Sequence, residues 1–430
     1  MPPRTRALPL ERFALDNGLQ VVVQPDRSSP VVAVAVYYDV GMRSEPEGRT
    51  GFAHLFEHMM FQGSASLGKT EHFTHVQGAG GTLNGSTHVD YTNYFELLPS
   101  NATELALFLE ADRMRSIALT QENLDNQVAV VQNEIRVNVH NRPYGGYPWL
   151  LLPPVLYDTF ANSHDGYGSF VDLESATLDD AAQFFDRYYA PGNAVLTVVG
   201  DVDPVQVQAW VSEHYADIPA RSTPPRPSFA EPQITTERRG VVHDKLAPSP
   251  AVTFAWRTPD PADLQAFLPY VVLAEVLTDG EASRLQRRML LEDRSVTAVQ
   301  GYLGLMGDPL DARDPTPLQL VVHHPDETSV DAVTAAVDEE LDRLAQDGLD
   351  QGELDRTVAR MTASFLREVE PALGRALTLS VLAQQRDRPE LLTELPSLYA
   401  QVTPAQVQAA AATLGRDNRA VLELRPGGPA

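Results

Sequence analysis

The strongest constraint on the fold is a phrase that occurs twice. Thr177-Leu178-Asp179-Asp180-Ala181-Ala182-Gln183-Phe184-Phe185 leads, after a helix-length interval, to Asn193 and the apolar run Ala194 to Val199. Thr403-Pro404-Ala405-Gln406-Val407-Gln408-Ala409-Ala410 leads in the same way to Asn418 and the run Arg419 to Leu424. In each case a Thr suited to a helix N-cap opens the phrase and an Asn stands just before a strand. The Thr-to-Asn offsets are 16 residues (177 to 193) and 15 (403 to 418). A chain of 430 residues is also too long for a single hydrophobic core. The expectation is an α+β fold of two homologous domains of similar plan, one duplicated from the other.

The stretch 219–232 holds five prolines and no periodic apolar face, which reads as an extended linker. The division expected is therefore an N-terminal domain 1–220, a linker 221–232 and a C-terminal domain 233–430. Within the first domain, Asn17-Gly18 between two apolar pieces predicts a hairpin over 12–24 with a two-residue type I′ turn. A strand from Val31 to Tyr38 follows, then helical patterns near 50–61, 101–117 and 121–140, and a strand from Ala194 to Val199.

Charge and cysteine usage narrow the chemistry. With 58 acidic against 33 basic residues the net charge is −25, which disfavours nucleic acid and anionic membrane as partners and suits a neutral or basic polypeptide. There is no cysteine, so any metal must be held by His, Asp or Glu. The N-terminal residues lack the apolar stretch of a secretory signal and no segment has the length of a membrane span, so a soluble, cytoplasmic protein is expected, with a periplasmic or secreted one left open.

His54-Leu55-Phe56-Glu57-His58 lies in a segment apolar enough for a partly buried helix. At about 100° per residue, His54, Glu57 and His58 fall within an arc of about 100°. Two imidazoles one turn apart can converge on one ion, and zinc suits such nitrogen and oxygen donors. The bland alternative is a buried helix with two satisfied histidines. Further on, Leu124, Val128, Val131 and Ile135 form a helical stripe with Glu134 at its edge, where a carboxylate needs a partner.

The His-x-x-Glu-His order inverts the H-E-x-x-H zincin motif. Together with Asn17-Gly18-Leu19, the block Gly51 to Ser64, Asn84-Gly85-Ser86-Thr87 and Tyr188 to Asn193, it makes the chain resemble the pitrilysin/insulinase family of inverted zincin peptidases, which includes the mitochondrial processing peptidase. The resemblance runs along nearly the whole chain. It implies a duplicated α/β sandwich and a third ligand about 75 residues beyond the second His, where Glu134 stands. On that basis His54, His58 and Glu134 are the zinc ligands and Glu57 is the general base, taking a proton from water and passing it to the leaving amine. The substrate is then a peptide or unfolded polypeptide, paired to the edge strand near Asn84, Gly85, Ser86 and Thr87. An ordinary turn at Asn84-Gly85 is the alternative.

Two departures from the family pattern stand out. Gln127 occupies the place of a Glu seven residues before the third ligand, so an amide is left to orient the ligand shell. In the second domain, Leu290 and Thr297 fall where relatives have an Arg and a Tyr directed at the substrate carbonyl. A heterodimer with a homologous subunit that supplies the Arg/Tyr pair is the expected arrangement, with a homodimer as a variant. The counterpart of the zinc helix, Leu268 to Gly280, has Val271 and Glu275 in place of the histidines, so one metal site per chain is expected. His72 and His75 are expected on a surface or loop, even though with His88 they offer three imidazoles, and His323-His324 is expected to be structural. The competing functional reading is a non-catalytic scaffold or chaperone-like subunit of the same family.

Overall fold

The computed structural model describes residues 9–222 and 225–428. Runs rich in Val, Tyr and Thr form its strands, as β-branched and aromatic side chains pack well on a pleated surface. In the first half, β1 (Glu11–Ala14), β2 (Gln20–Pro25), β3 (Val31–Tyr38), β4 (Thr82–Thr87), β5 (Thr92–Pro99) and β6 (Ala194–Gly200) form one sheet in the order β1-β2-β6-β3-β5-β4. In the second half, β7 (Arg238–Asp244), β8 (Ala251–Arg257), β9 (Ala298–Leu303), β10 (Pro317–His323) and β11 (Arg419–Pro426) are ordered β7-β11-β8-β10-β9. Among the described residues only β2/β6 and β7/β11 pair in parallel; every other neighbouring pair is antiparallel. Without β1, the two sheets have the same order and the same sense at every pairing. The duplication expected from the repeated phrase is present in the topology.

The phrase itself performs the same job twice. Thr177 and Thr403 each close a capping box, with Asp180 and Gln406 as the reciprocal partners, and so satisfy donors at the start of their helices. Five residues beyond each helix end, the Asn side chain reaches back: Asn193 Nδ2 donates to the Tyr188 carbonyl at 2.9 Å and Asn418 Nδ2 to the Thr413 carbonyl at 2.9 Å. That bond sets the exit angle from helix to strand.

The hairpin over 12–24 forms, but its turn is wider than the type I′ pair. The last strand pairing is Ala14 with Gln20, and of the two turn residues only Gly18 has positive φ, at 94°. Asn17 is committed elsewhere: its Nδ2 donates to the carbonyls of Tyr215 (2.8 Å) and Ile218 (3.1 Å), pinning the turn to the end of a later helix.

Helices α1 (Phe52–Met59), α2 (Glu71–Gly78), α3 (Thr103–Arg115) and α4 (Gln121–Ile135) pack in the first half, and α4 continues into a π-helical turn over Arg136–His140. Leu124, Val131 and Ile135 are buried as the periodicity required, with Val128 half-buried beside them. No helix or strand lies between Tyr215 and Arg238 among the described residues.

Packing does not follow that division. The helix Ala372–Arg386 belongs to the second half in sequence but lies on β3 and β6 of the first sheet, where Gln384 Nε2 donates to the Tyr37 carbonyl at 2.8 Å and Arg375 Nε to Gln24 Oε1 at 3.0 Å. Conversely, Tyr147, Leu152, Leu156 and Tyr157 pack on Ala251, Ala255, Leu422 and Leu424 of the second sheet. The two halves are further joined by a buried ion cluster. Arg43 donates to Asp90 (3.1 Å) and to the carbonyls of Arg313 (3.0 Å) and Pro315 (2.6 Å), while the Arg313 amide donates to Asp90 at 2.6 Å.

Candidate metal centre

Helix α1 starts at Gly51, whose φ of 83° turns the chain into the helix. Glu45 caps it from outside: its carboxylate accepts from the amides of Gly51 and Ala53, both at 2.8 Å, and also contacts His164 Nε2 at 3.0 Å. Phe52, Leu55, Phe56 and Met59 fill the core side. His54, Glu57 and His58 are thereby left together on the side that faces α4.

The structure brings His54, His58 and Glu134 to one point. Their ligand atoms lie within 4.8 Å of one another. His54 Nε2 is 3.7 Å from Glu134 Oε1 and His58 Nε2 is 3.3 Å from Glu134 Oε2, with the imidazole planes at 89°. Donors about 2.0–2.1 Å from a tetrahedral zinc are separated by about 3.3–3.4 Å, so these spacings are close to the edges of a coordination tetrahedron. Protonation states agree with that chemistry. Burial, reinforced by His58, lowers the pKa of His54 to about 4, so its ring is neutral. The contact with the His58 ring lowers that of Glu134 to about 2, so it is ionised. The donor set, two imidazoles and one ionised carboxylate, therefore fits zinc and leaves a fourth position for water or substrate.

Glu57 stands beside the triad. Burial raises its pKa, and the Thr87 hydroxyl, which donates to Oε2 at 2.8 Å, acts against that rise. Thr87 is the last residue of β4, an edge strand paired only with β5 among the described residues. Of the other predicted substrate contacts on this strand, Asn84 is exposed, Gly85 is buried, and the Ser86 hydroxyl binds Asn93 and His88. Asn84 and Gly85 are strand residues, so the turn alternative is corrected.

Gln127 is buried, but its amide donates to Asn126 at 2.8 Å and makes no hydrogen bond to His54, His58 or Glu134 among the described residues. Other residues hold Glu134. Tyr167 Oη donates to Glu134 Oε1 at 3.2 Å, and Asn138 Nδ2 approaches the same oxygen at 3.4 Å. Sequence reasoning missed both, as it missed Glu45. Asn138 lies one turn beyond Glu134 and was legible as an i, i+4 neighbour, whereas nothing local marks Tyr167 or Glu45.

Elsewhere the expectations divide. Val271 and Glu275 sit on the buried helix Leu264–Thr278 of the second half, and no metal-ligating cluster occurs there among the described residues. Near Leu290 and Thr297, Arg284 is bound to Glu353 (2.9 Å) and Arg288 to Glu339, so neither guanidinium is free. His323 ends β10. His75 is exposed, but His72 corrects the surface reading: it is buried, with Nε2 2.8 Å from Glu96. His72, Glu96 and Glu110 are close enough to suggest a second metal cluster. However, 2.8 Å is a hydrogen-bond distance, and Arg113, 2.9 Å from Glu110, already supplies the cation.

The fold and the triad define a class: duplicated α/β proteins that carry a His-x-x-Glu-His helix and a distant Glu on one of their two sheets. Residues 20–144 match the family model described as Insulinase (Peptidase family M16), and residues 175–361 match that of the Peptidase M16 inactive domain. The chain belongs to the insulinase family, peptidase family M16. It is 28% identical over 376 residues to the zinc protease PqqE of Helicobacter pylori, covering 84% of this chain and 80% of that protein. It is 23% identical to the uncharacterized zinc protease SCO5738 of Streptomyces coelicolor, covering 95% and 88%. In fold it is similar to a protease crystal structure from Helicobacter pylori (TM-score 0.89, 24% identity, 97% of this chain and 100% of that one). The crystal structure of pitrilysin matches all of this chain with 46% of its own (TM-score 0.81, 16% identity).

Proposed function

We propose that this chain is a zinc metalloendopeptidase acting on peptides or unfolded polypeptides. The observation that carries the reading is the convergence of His54, His58 and Glu134 at tetrahedral spacing, with the Glu57 carboxylate alongside. Zinc, when bound there, supplies a Lewis acid that polarises the scissile carbonyl and acidifies water.

The chain's own residues do the rest. His54 and His58 offer ring nitrogens, and Glu134 contributes the one negative charge of the ligand set. Glu57 takes a proton from the attacking water and hands it to the leaving nitrogen; burial, which raises its proton affinity, suits that task at neutral pH. Thr87 fixes the Glu57 carboxylate through Oε2. The free edge of β4 offers backbone donors and acceptors to an extended substrate, which gives binding tolerant of side-chain sequence.

The active site is completed by a second, homologous subunit. Leu290 and Thr297 offer no substrate-facing Arg or Tyr, and Arg284 and Arg288 are tied to acidic partners. A heterodimer supplies the missing pair; a homodimer is the other arrangement open to the chain, and it would leave the pair missing. No helix among the described residues is long and apolar enough to cross a membrane, and the cytoplasm is the compartment proposed.

The test is hydrolysis of an unfolded polypeptide by the zinc-loaded chain, alone and mixed with a homologue carrying the Arg and Tyr. Turnover that depends on the partner and is lost in Glu57→Gln with zinc retained supports the proposal. Full turnover by the isolated chain refutes the heterodimer, and no turnover in any combination favours the scaffold reading.

A further inference from the structure

Three features outside the catalytic set bear on the metal site, and they converge on one side chain. The first is a hydrogen bond that nothing in the motif called for: Tyr167 Oη donates to Glu134 Oε1 at 3.2 Å. The second is ring packing around that phenol. Its ring meets the His54 ring edge-on, with centroids 4.9 Å apart at 82°, and the Trp149 ring covers it at 5.2 Å.

The third is the construction of the loop that carries Tyr167. Gly168 has φ of 92°, and a Cβ there would come within 2.6 Å of the Gly51 Cα and the Thr50 carbonyl. A Cβ on Gly51 would in turn meet the Tyr167 carbonyl at 2.6 Å. The loop is thus pressed backbone to backbone against the start of α1, at a distance that only glycine on both sides permits. Asp165 accepts from the Tyr167 amide at 2.8 Å, and the Ser169 amide donates to Thr50 Oγ1 at 3.0 Å. Tyr167 is thereby braced against the start of α1.

The two oxygens of Glu134 are treated differently. Oε1 receives Tyr167 and, at 3.4 Å, Asn138, and lies 3.7 Å from His54 Nε2; Oε2 receives neither donor and lies nearer its imidazole, 3.3 Å from His58 Nε2. An oxygen whose lone pairs are shared with two hydrogen-bond donors is the weaker metal ligand of the two, which favours Oε2. We propose that Tyr167 is a positioning residue that holds Glu134 as a one-oxygen ligand and so keeps the bound ion four-coordinate. This rests on the zinc reading of the site. Gln127, whose amide binds Asn126, does not share the task.

The experiment compares wild type with Tyr167→Phe, which keeps the ring packing and removes only the hydroxyl. Zinc affinity is measured by competition with a chromogenic chelator, and the cobalt(II)-substituted proteins are compared by visible absorption. Thermal unfolding of the metal-free proteins serves as the control for folding. Outer partners of metal ligands typically contribute 10–100-fold to affinity, so zinc affinity should fall by about tenfold or more in Tyr167→Phe. The cobalt band, intense in tetrahedral sites, should weaken as Glu134 turns to bind through both oxygens. The metal-free proteins should unfold alike. Equal zinc affinity and identical cobalt spectra overturn the inference while leaving the zinc site standing; a wild type that binds neither metal overturns both.

Discussion

Replacing Arg43 by Met tests whether the buried ion cluster holds the two halves together. Arg43 is 4% exposed and Asp90 is fully buried. The substitution keeps most of the aliphatic length and removes a guanidinium that serves Asp90 at 3.1 Å and two carbonyls of the second half at 3.0 and 2.6 Å. Stripping a buried carboxylate of its partner costs about 3–5 kcal/mol, and each buried carbonyl left without a donor about 1 kcal/mol more. Here Arg313 stays beside Asp90, through its amide at 2.6 Å and its guanidinium at 3.4 Å, which retains part of the compensation. The net loss expected is about 3 kcal/mol. Denaturant unfolding followed by tryptophan fluorescence measures it, and a cycle with Asp90→Leu isolates the coupling, which should exceed about 1 kcal/mol. A loss below about 1 kcal/mol with additive single effects would refute the reasoning and show that the interface is held by apolar packing alone.

Thr87→Val should lower the rate constant for hydrolysis about tenfold through the loss of one charge-assisted hydrogen bond to Glu57, with zinc content unchanged, as read by steady-state kinetics and metal analysis. Gly168→Ala should weaken zinc binding and destabilise the fold by about 1–3 kcal/mol, because its Cβ would strike the Thr50 carbonyl; chelator competition and thermal unfolding report the two effects. Glu275 is held at a pKa of about 7, raised by burial with Asp279 adding to it. A carboxyl whose pKa is raised in the folded state disfavours folding once it ionises, so stability is lost as pH rises from the unfolded value of about 4.5 through 7. Glu275→Gln should accordingly stabilise the protein at pH 8, by up to about 3 kcal/mol, and leave it unchanged at pH 4.

Much of this was legible in the sequence because it is local. Thr caps, Asn-to-strand exits and the Leu124–Ile135 stripe are settled by neighbours within two turns, and they fixed the elements and the duplication. His54, Glu57 and His58 shared a face by helical geometry alone. The place of Glu134 beside the two histidines was different, since only the resemblance connected residues that lie on separate helices. What stayed hidden depends on long-range packing. Nothing in Ala372–Arg386 marks it as a helix that crosses to the first sheet, and the Asn17-Gly18 turn is widened by contacts nearly 200 positions away. Tyr167 was invisible for the same reason: its role arises from the backbone contact of Gly168 with Gly51, not from any spacing to the histidines.

The central claim is that three side chains make one zinc site, and counting the metal tests it most directly. The chain is equilibrated with zinc, exchanged into metal-free buffer and assayed for bound metal by atomic absorption, beside Glu134→Ala. One zinc per wild-type chain, with most of it lost in Glu134→Ala, is the result expected. No zinc in wild type, or full retention without Glu134, would contradict the account.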